Sequence, residues 1–243
     1  EIVDIAGLVK GASKGEGLGN KFLANIRNTN AIIHVLRCFE NDNITHVDGS
    51  IDPVRDKGII DTELQLKDLE TIENRLAKTQ KQAVVGGDKQ AKRAVEILLQ
   101  YKAVLEQGLS ARTVELEKED RKLVADLNLL TDKPVLYVCN VDEKSAVTGN
   151  EHTRAVEAAI ADERAEMLIV AAATEADIAE LDEYEERQMF LEEIGLKESG
   201  VARLIKAAYK LLDLQTFFTT GADESRAWTF RRGMKAPQTA GII

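Results

Sequence analysis

The sequence predicts an α/β protein in which a parallel sheet is interrupted by a long helical insertion. In the first third of the chain, residues 1–5, 20–27 and 31–39 read in turn as a strand, a helix and a second, buried strand. The apolar run at 134–139 is typical of a central parallel strand. Alternating strands and helices form parallel sheets that are covered by helices, so these segments define the fold class.

Residues 61–107 interrupt this alternation. Two runs of apolar residues there follow helical spacing, and a Gly-Gly turn signal at 86–87 separates them. The residues are Leu69, Ile72, Leu76 and Ala83, then Ala91, Ala94, Leu98, Tyr101 and Leu105. The pattern predicts an antiparallel, coiled-coil-like hairpin inserted into one α/β domain, which would comprise residues 1–60 and 108–199.

Downstream of the hairpin, the sequence predicts helices at 117–130, 153–161 and 200–212, a strand at 167–170, and an acidic helical region after Leu181. The end of the chain is richer in strand-forming residues, with aromatic side chains between Phe217 and Phe230. We therefore expect a separate, β-rich domain to begin within residues 210–243.

Composition excludes several classes of function. The net charge of −10 argues against a protein that wraps nucleic acid over its whole surface, although it permits a local basic contact. No apolar run approaches the roughly 20 residues needed to cross a bilayer, and no signal-like segment opens the chain. Cys38 and Cys139 could form one disulfide, but they fit better as small apolar residues at strand ends, and so few cysteines suit the cytosol. We expect a cytoplasmic protein without membrane partners.

Asp4 follows a short apolar run, and Gly7 comes three residues later. This spacing matches the DxxG switch of GTPase-like P-loop proteins. In that switch the carboxylate holds Mg²⁺, and the glycine amide approaches the γ-phosphate where a Cβ would obstruct. An aspartate in an ordinary turn is the alternative for so short a motif.

The segment that continues to Leu23 is dense in glycine, at Gly7, Gly11, Gly15, Gly17 and Gly19. Such a composition makes a mobile loop, as a nucleotide-sensing switch requires. Its glycine spacing does not match the dinucleotide-binding fingerprint. The segment closely resembles switch II of the YchF branch of the Obg-like ATPases, and the resemblance extends in the family's order along essentially the whole chain. It implies a P-loop NTPase fold, ATP as substrate, Mg²⁺ as cofactor and association with the ribosome.

The phosphate-binding pattern G-x-x-x-x-G-K-[ST] is absent from these residues. The resemblance implies that this loop lies upstream of Glu1, so we expect residues 1–243 alone to hydrolyse nucleotide poorly. Leu8 occupies the place of the water-orienting glutamine of Ras-like enzymes, and leucine cannot align a water. The resemblance implies that His46 takes the catalytic role, because an imidazole can position or deprotonate water. An ordinary loop histidine is the alternative; His34 and His152 read as structural.

Asn140-Val141-Asp142-Glu143 follows the predicted central strand, where GTPases carry NKxD. Val141 replaces the lysine that lies along the base, and Glu143 replaces the aspartate that pairs with guanine. Asn140 could hydrogen-bond the N6/N7 edge of adenine. The family carries this NxxE variant, which implies a preference for ATP over GTP. Taken by itself, the tetrapeptide is also compatible with an ordinary loop.

Residues 170–175 fall where the family places its last base-contacting loop. Small side chains such as Ala172 would let backbone amides approach the base. A strand end chosen for close packing explains the same residues equally well.

Basic residues cluster near the predicted hairpin tip, where residues 75–93 contain six of them and only one acid, Asp88. They are Arg75, Lys78, Lys81, Lys89, Lys92 and Arg93. A solvated helix face is the usual explanation of such a run, and contact with RNA phosphates is the functional one.

Residues 214–241 resemble the opening of the family's TGS domain, a β-rich module linked to RNA or ribosome contact. The sequence therefore leads to two hypotheses. One is an ATPase that associates with the ribosome, and the other is a ribosome- or RNA-binding regulatory module, or a GTP-binding protein, in which hydrolysis is a slow timer. The oligomeric state is open.

Overall fold

The computed structural model describes residues 1–5, 18–44, 49–85 and 88–243. Its main sheet has three parallel strands in the order β1 (Ile32–Arg37), β2 (Val135–Asn140), β3 (Glu166–Val170). Their register sets Arg37 beside Asn140, and Asn140 beside Val170. Strand β2 is buried along almost its whole length, whereas its neighbours are partly exposed. This confirms the predicted α/β class and the central position of residues 134–139.

Nine helices accompany the strands in the part of the chain that the structure describes. They are α1 (Leu18–Arg27), α2 (Pro53–Val85), α3 (Lys89–Glu106), α4 (Lys118–Val124), α5 (Glu151–Ala159), α6 (Ala172–Glu180), α7 (Tyr184–Glu193), α8 (Gly200–Leu211) and α9 (Ala236–Ala240). The antiparallel strands β4 (Leu214–Thr220) and β5 (Ser225–Arg231) form a second, two-stranded sheet. None of the described helices is both long enough and apolar enough to span a membrane.

Two predicted elements differ from the structure. Residues 1–5 form no strand, because no described strand pairs with them, and Ile2 and Val3 are exposed. The helix predicted over 117–130 ends at Val124. A short 3-10 turn follows it, and the chain then reverses at Asn128 in the left-handed region, with φ of 46°, which no helix can continue through.

Helices α2 and α3 form the helical arm, a hairpin that buries the predicted apolar residues. Ile72, Leu98 and Tyr101 are almost fully buried in one cluster, and this cluster also takes in Val124 and Leu127 beside α4. Asp88 caps α3 by accepting a hydrogen bond from the Gln90 amide at 2.8 Å. Helix α2 begins at Pro53, before the predicted insertion, so its first turns run along the sheet domain.

Asp68 joins the arm to the chain that leads into β2. Its carboxylate is completely buried and accepts hydrogen bonds from the backbone amides of Leu130 and Thr131, each at 2.8 Å. The Thr131 hydroxyl donates a third bond at 2.7 Å. Burial raises the pKa of Asp68, and these three bonds offset only part of that cost. A single side chain of α2 thus fixes the turn before the central strand.

Candidate functional site

Asn140 lies at the carboxyl end of β2, the edge where open α/β sheets bind their ligands. Its Oδ1 accepts a hydrogen bond from the backbone amide of Ala172 at 3.0 Å. A backbone N–H can only donate, so the amide oxygen must face Ala172 and the Nδ2 group must point the other way. That nitrogen has no partner among the described residues. Asn140 therefore offers a donor, held in a fixed orientation, to a ligand at this edge.

The backbone around Asn140 is held from both sides. Its carbonyl accepts a hydrogen bond from the Cys38 amide at 2.7 Å, and the Val141 amide donates to Val170 at 2.9 Å. Asn150, the N-cap of α5, donates to the Cys38 carbonyl at 2.7 Å. The Cys38 and Cys139 thiols are buried and free, as the strand-end interpretation predicted. Hydrogen bonds on both sides thus hold the backbone at the carboxyl end of β2, where the site lies.

The residues after Asn140 point in different directions. Val141 is only 3% exposed and packs in the core of the sheet, so it can reach a nucleotide only through its backbone. Asp142 caps the next turn by accepting a hydrogen bond from the Ser145 amide at 2.9 Å. Glu143 begins that turn and is exposed. Of the residues predicted to bind the base, the structure brings Asn140 into contact with Ala172. Glu143, three residues after Asn140, is exposed to solvent.

Ala172 is the first residue of α6, so the predicted loop 170–175 is mostly helix, and Ala171 alone separates it from β3. The side chain of Asn140 supplies a hydrogen bond that α6 lacks from its own N-cap, Ala171. The side chains of Ala172 and Ala173, at the start of this helix, are exposed. The positive end of the helix dipole therefore faces the same edge as Asn140.

Glu175 connects α6 to α8. Its carboxylate accepts hydrogen bonds from the amides of Gly200 at 2.5 Å and Val201 at 3.4 Å, at the start of α8. A Cβ on Gly200 would come within 2.8 Å of the Glu175 Oε1 atom. Sequence reasoning missed this contact, since a helix cap supplied from 25 residues away leaves no local pattern.

The structure does not test two of the predicted site residues and leaves a third away from these contacts. Gly7 and His46 lie outside the described residues. Asp4 is exposed, and its neighbour Ile5 packs against the cluster formed by Leu23 and Leu64. Within the described ranges, no contact joins Asp4 to Asn140.

A buried ionic network lies at the base of the arm, and sequence reasoning missed it. Lys57 forms ion pairs with Asp61, at 2.6 Å, and with Glu163, and Arg112 reaches Glu163 at 3.1 Å. The Tyr137 hydroxyl donates to the same carboxylate at 3.1 Å. Burial alone would raise the pKa of Glu163, but Lys57 and Arg112 outweigh it and the pKa is lowered. Only the four-residue spacing of Lys57 and Asp61 was visible in the sequence.

The six basic residues of the arm differ in their surroundings. Arg75 pairs with Asp126 at 2.8 Å, and Arg93 pairs with Asp120 at 2.6 Å, so both arginines are bound within the chain. Four lysines are exposed, with no ion pair to any described residue: Lys78, Lys81, Lys89 and Lys92. These four, called the tip lysines below, are the positive charges that remain available to a partner.

Comparisons with known proteins place this fold in the GTPase-like class of α/β proteins. The solved structure of the YchF GTPase of Schizosaccharomyces pombe matches with a TM-score of 0.83 and 33% identity, over 98% of this chain and 64% of that one. A family model, YchF-GTPase_C, described as a protein of unknown function (DUF933), matches residues 214–243.

Curated relatives cover the whole chain. It is 54% identical to the ribosome-binding ATPase YchF of Bacillus subtilis and 51% identical to that of Escherichia coli O157:H7, in each case over 100% of this chain and 66% of the relative. It is 44% identical to the Obg-like ATPase 1 of Rattus norvegicus, over 62% of that protein. The chain belongs to the YchF family of Obg-like ATPases, as its motifs predicted, and spans about two thirds of the length of these relatives.

Proposed function

We propose that this chain supplies the base-binding edge and the helical arm of an ATPase that associates with the ribosome in the cytoplasm. The observation that carries the proposal is the hydrogen bond from Ala172 to Asn140, which orients the Asn140 amide at the carboxyl edge of the sheet. The names of the relatives, which describe ribosome-binding ATPases, support the same assignment.

The geometry supports recognition of adenine by Asn140. With its oxygen turned toward Ala172, the amide nitrogen donates to the N7 atom of a purine. The second lone pair of the oxygen remains for an exocyclic amino group, which adenine presents at its N6 position. Guanine presents a carbonyl there, which would face the Asn140 oxygen unfavourably. Val141 stands where NKxD has its lysine, and its side chain is turned into the core, so it cannot lie along the base.

Asp4 and Gly7 are proposed to serve the phosphate end of the nucleotide. The described residues contain no cluster of three or more side chains that could hold a metal ion. Mg²⁺ binds through one or two carboxylates together with substrate phosphates and water. The exposed carboxylate of Asp4 fits that donor chemistry, and the bound ion would neutralise charge on the phosphates. Gly7 would offer its amide to the γ-phosphate, and His46 would position the attacking water.

Turnover by the intact protein tests this proposal. ATP should be hydrolysed faster than GTP, and Asn140→Ala should weaken ATP binding about 3- to 10-fold, the effect of losing one oriented hydrogen bond. Asn74→Ala is the matched control, because Asn74 is exposed on the arm. Equal or faster turnover of GTP would reject the adenine assignment. His46→Ala should stop hydrolysis, and turnover that survives would remove His46 from the mechanism.

A second function is favoured by the tip lysines: a ribosome-binding module in which nucleotide state regulates association and hydrolysis acts as a timer. Lysines near phosphates release counterions, so binding should weaken steeply with salt. Replacing Lys81, Lys89 and Lys92 with glutamate should abolish cosedimentation with ribosomes while leaving ATP turnover without ribosomes unchanged.

A triple replacement of equal charge provides the control for this experiment. Lys144, Lys197 and Lys206 are exposed lysines that lie outside the arm and α4, and their replacement with glutamate should leave cosedimentation intact. Equal loss in both triple variants would show that net charge, and not the arm, governs association.

A further inference from the structure

Negative charge is concentrated in the segment 177–198, which contains α7. Nine of its side chains are carboxylates and two are basic, so this segment alone carries a net charge of −7 in a chain whose total is −10. One of the two basic residues, Arg187, donates to the Leu181 carbonyl at 2.7 Å and is folded back onto its own segment. The remaining surface of α7 is strongly acidic.

The same segment exposes apolar side chains. Met189 is 71% exposed and Tyr184 is 68% exposed, both on α7. Met189 also lines a shallow, open groove of about 530 Å³, together with Leu181, Glu186, Phe190, Glu192 and Glu193. The lining thus combines three apolar residues with three glutamates. An exposed methionine adapts its shape readily to an apolar partner.

We propose that this groove, called the α7 groove below, docks a basic amphipathic segment of a partner protein. Its chemistry selects this occupant. The dense negative charge repels nucleic acid, and no group of described acids could hold a metal ion. In a segment with an apolar side chain flanked by lysine or arginine, the apolar side chain would pack on the apolar residues of the groove, and the basic side chains would pair with its glutamates. The surface is distinct from the base-binding edge and from the tip lysines.

Methyl NMR of the 243-residue chain provides a local test, because the chain contains only three methionines, Met167, Met189 and Met234. The probe is a synthetic 16-residue helical peptide with leucines on one face and lysines on the other. Binding at the α7 groove should shift the ¹³C-methyl signal of Met189, assigned from Met189→Leu, and leave that of Met167 in place. Titration of the shift gives the dissociation constant.

Two charge reversals distinguish docking at the α7 groove from general electrostatic attraction of the peptide to an acidic protein. Glu193→Lys should weaken binding about 3- to 10-fold at low salt, whereas Glu157→Lys, an equal change of charge on the exposed face of α5, should have less than about a twofold effect. Equal effects of the two reversals, or shifts at Met167 as large as at Met189, would overturn the proposal. So would tighter binding by a sequence-scrambled peptide of the same composition, or self-association that Met189→Arg abolishes, since a second copy would then occupy the groove.

Discussion

Replacing Asp68 with alanine should destabilise the protein more than any change on the outer face of the arm. The carboxylate is fully buried and holds two backbone amides and one hydroxyl. Alanine leaves the amides of Leu130 and Thr131 without acceptors in a buried place. The loss would loosen the turn before β2, and through β2 the position of Asn140.

The magnitude follows from these contacts. Each buried amide left unpaired costs about 1–3 kcal/mol. The Thr131 hydroxyl keeps the bond that it accepts from the Ala111 amide at 3.1 Å, so its contribution is taken as smaller. Burial disfavours the charged form of Asp68, as its raised pKa indicates. Removing the carboxylate also removes this desolvation cost, which offsets part of the lost stability. The expected net loss is about 2–4 kcal/mol at neutral pH. For a protein of this size that corresponds to a fall in Tm of about 5–15 °C.

Urea denaturation followed by far-ultraviolet circular dichroism measures this loss. The matched control is Asp177→Ala, which removes an exposed carboxylate from α6 and should change stability by less than about 0.5 kcal/mol. A loss in Asp68→Ala no larger than in this control would refute the role of Asp68 as the anchor of the arm.

Two further changes test other contacts. Glu163→Gln should lower the free energy of unfolding by about 2 kcal/mol at pH 7. Lys57 and Arg112 lower the pKa of Glu163, so its stabilising contribution is present above the unfolded value near 4.5 and is lost as the pH falls through the folded pKa. The stabilities of wild type and variant should therefore converge in acid. Urea titrations at pH 7, 4.5 and 3.5 should show a difference in stability that shrinks as the pH falls, and a constant difference would contradict this. Gly200→Ala should cost about 1–2 kcal/mol because its Cβ would meet Glu175 and Val170, whereas Gly58→Ala, in an open position within α2, should stabilise by about 0.5–1 kcal/mol. Thermal melts that fail to separate these two glycines would argue against the cap on α8.

The sequence predicted the elements whose signals are local. The apolar spacing of Ile72, Leu98 and Tyr101 predicted the arm because a helix repeats its buried face every three or four residues, and those side chains are buried. The run 134–139 predicted the central strand for the same kind of reason. Residues 1–5 carry a similar apolar signal, yet a strand also needs a neighbour to share hydrogen bonds, and the local pattern does not report one.

The site was predicted in part. The position of Asn140 after a central strand was visible, whereas its bond to Ala172 depends on a strand pairing that joins residues 32 positions apart. Val141 was interpreted only as the replacement for the lysine of NKxD, and its packing in the core of the sheet follows from the tertiary structure. The network around Glu163 joins Lys57 across 106 positions, so no local pattern could have indicated it.

The length of α2 makes the arm a lever. About 17 residues separate Asp68 from the end of the helix, which at 1.5 Å per residue is roughly 26 Å. A tilt of about 10° at Asp68 would therefore carry the far end of α2 through about 4–5 Å, more than the length of a hydrogen bond. The hydrogen bonds of the Asp68 carboxylate to its three donors therefore contribute to the position of the far end of the arm.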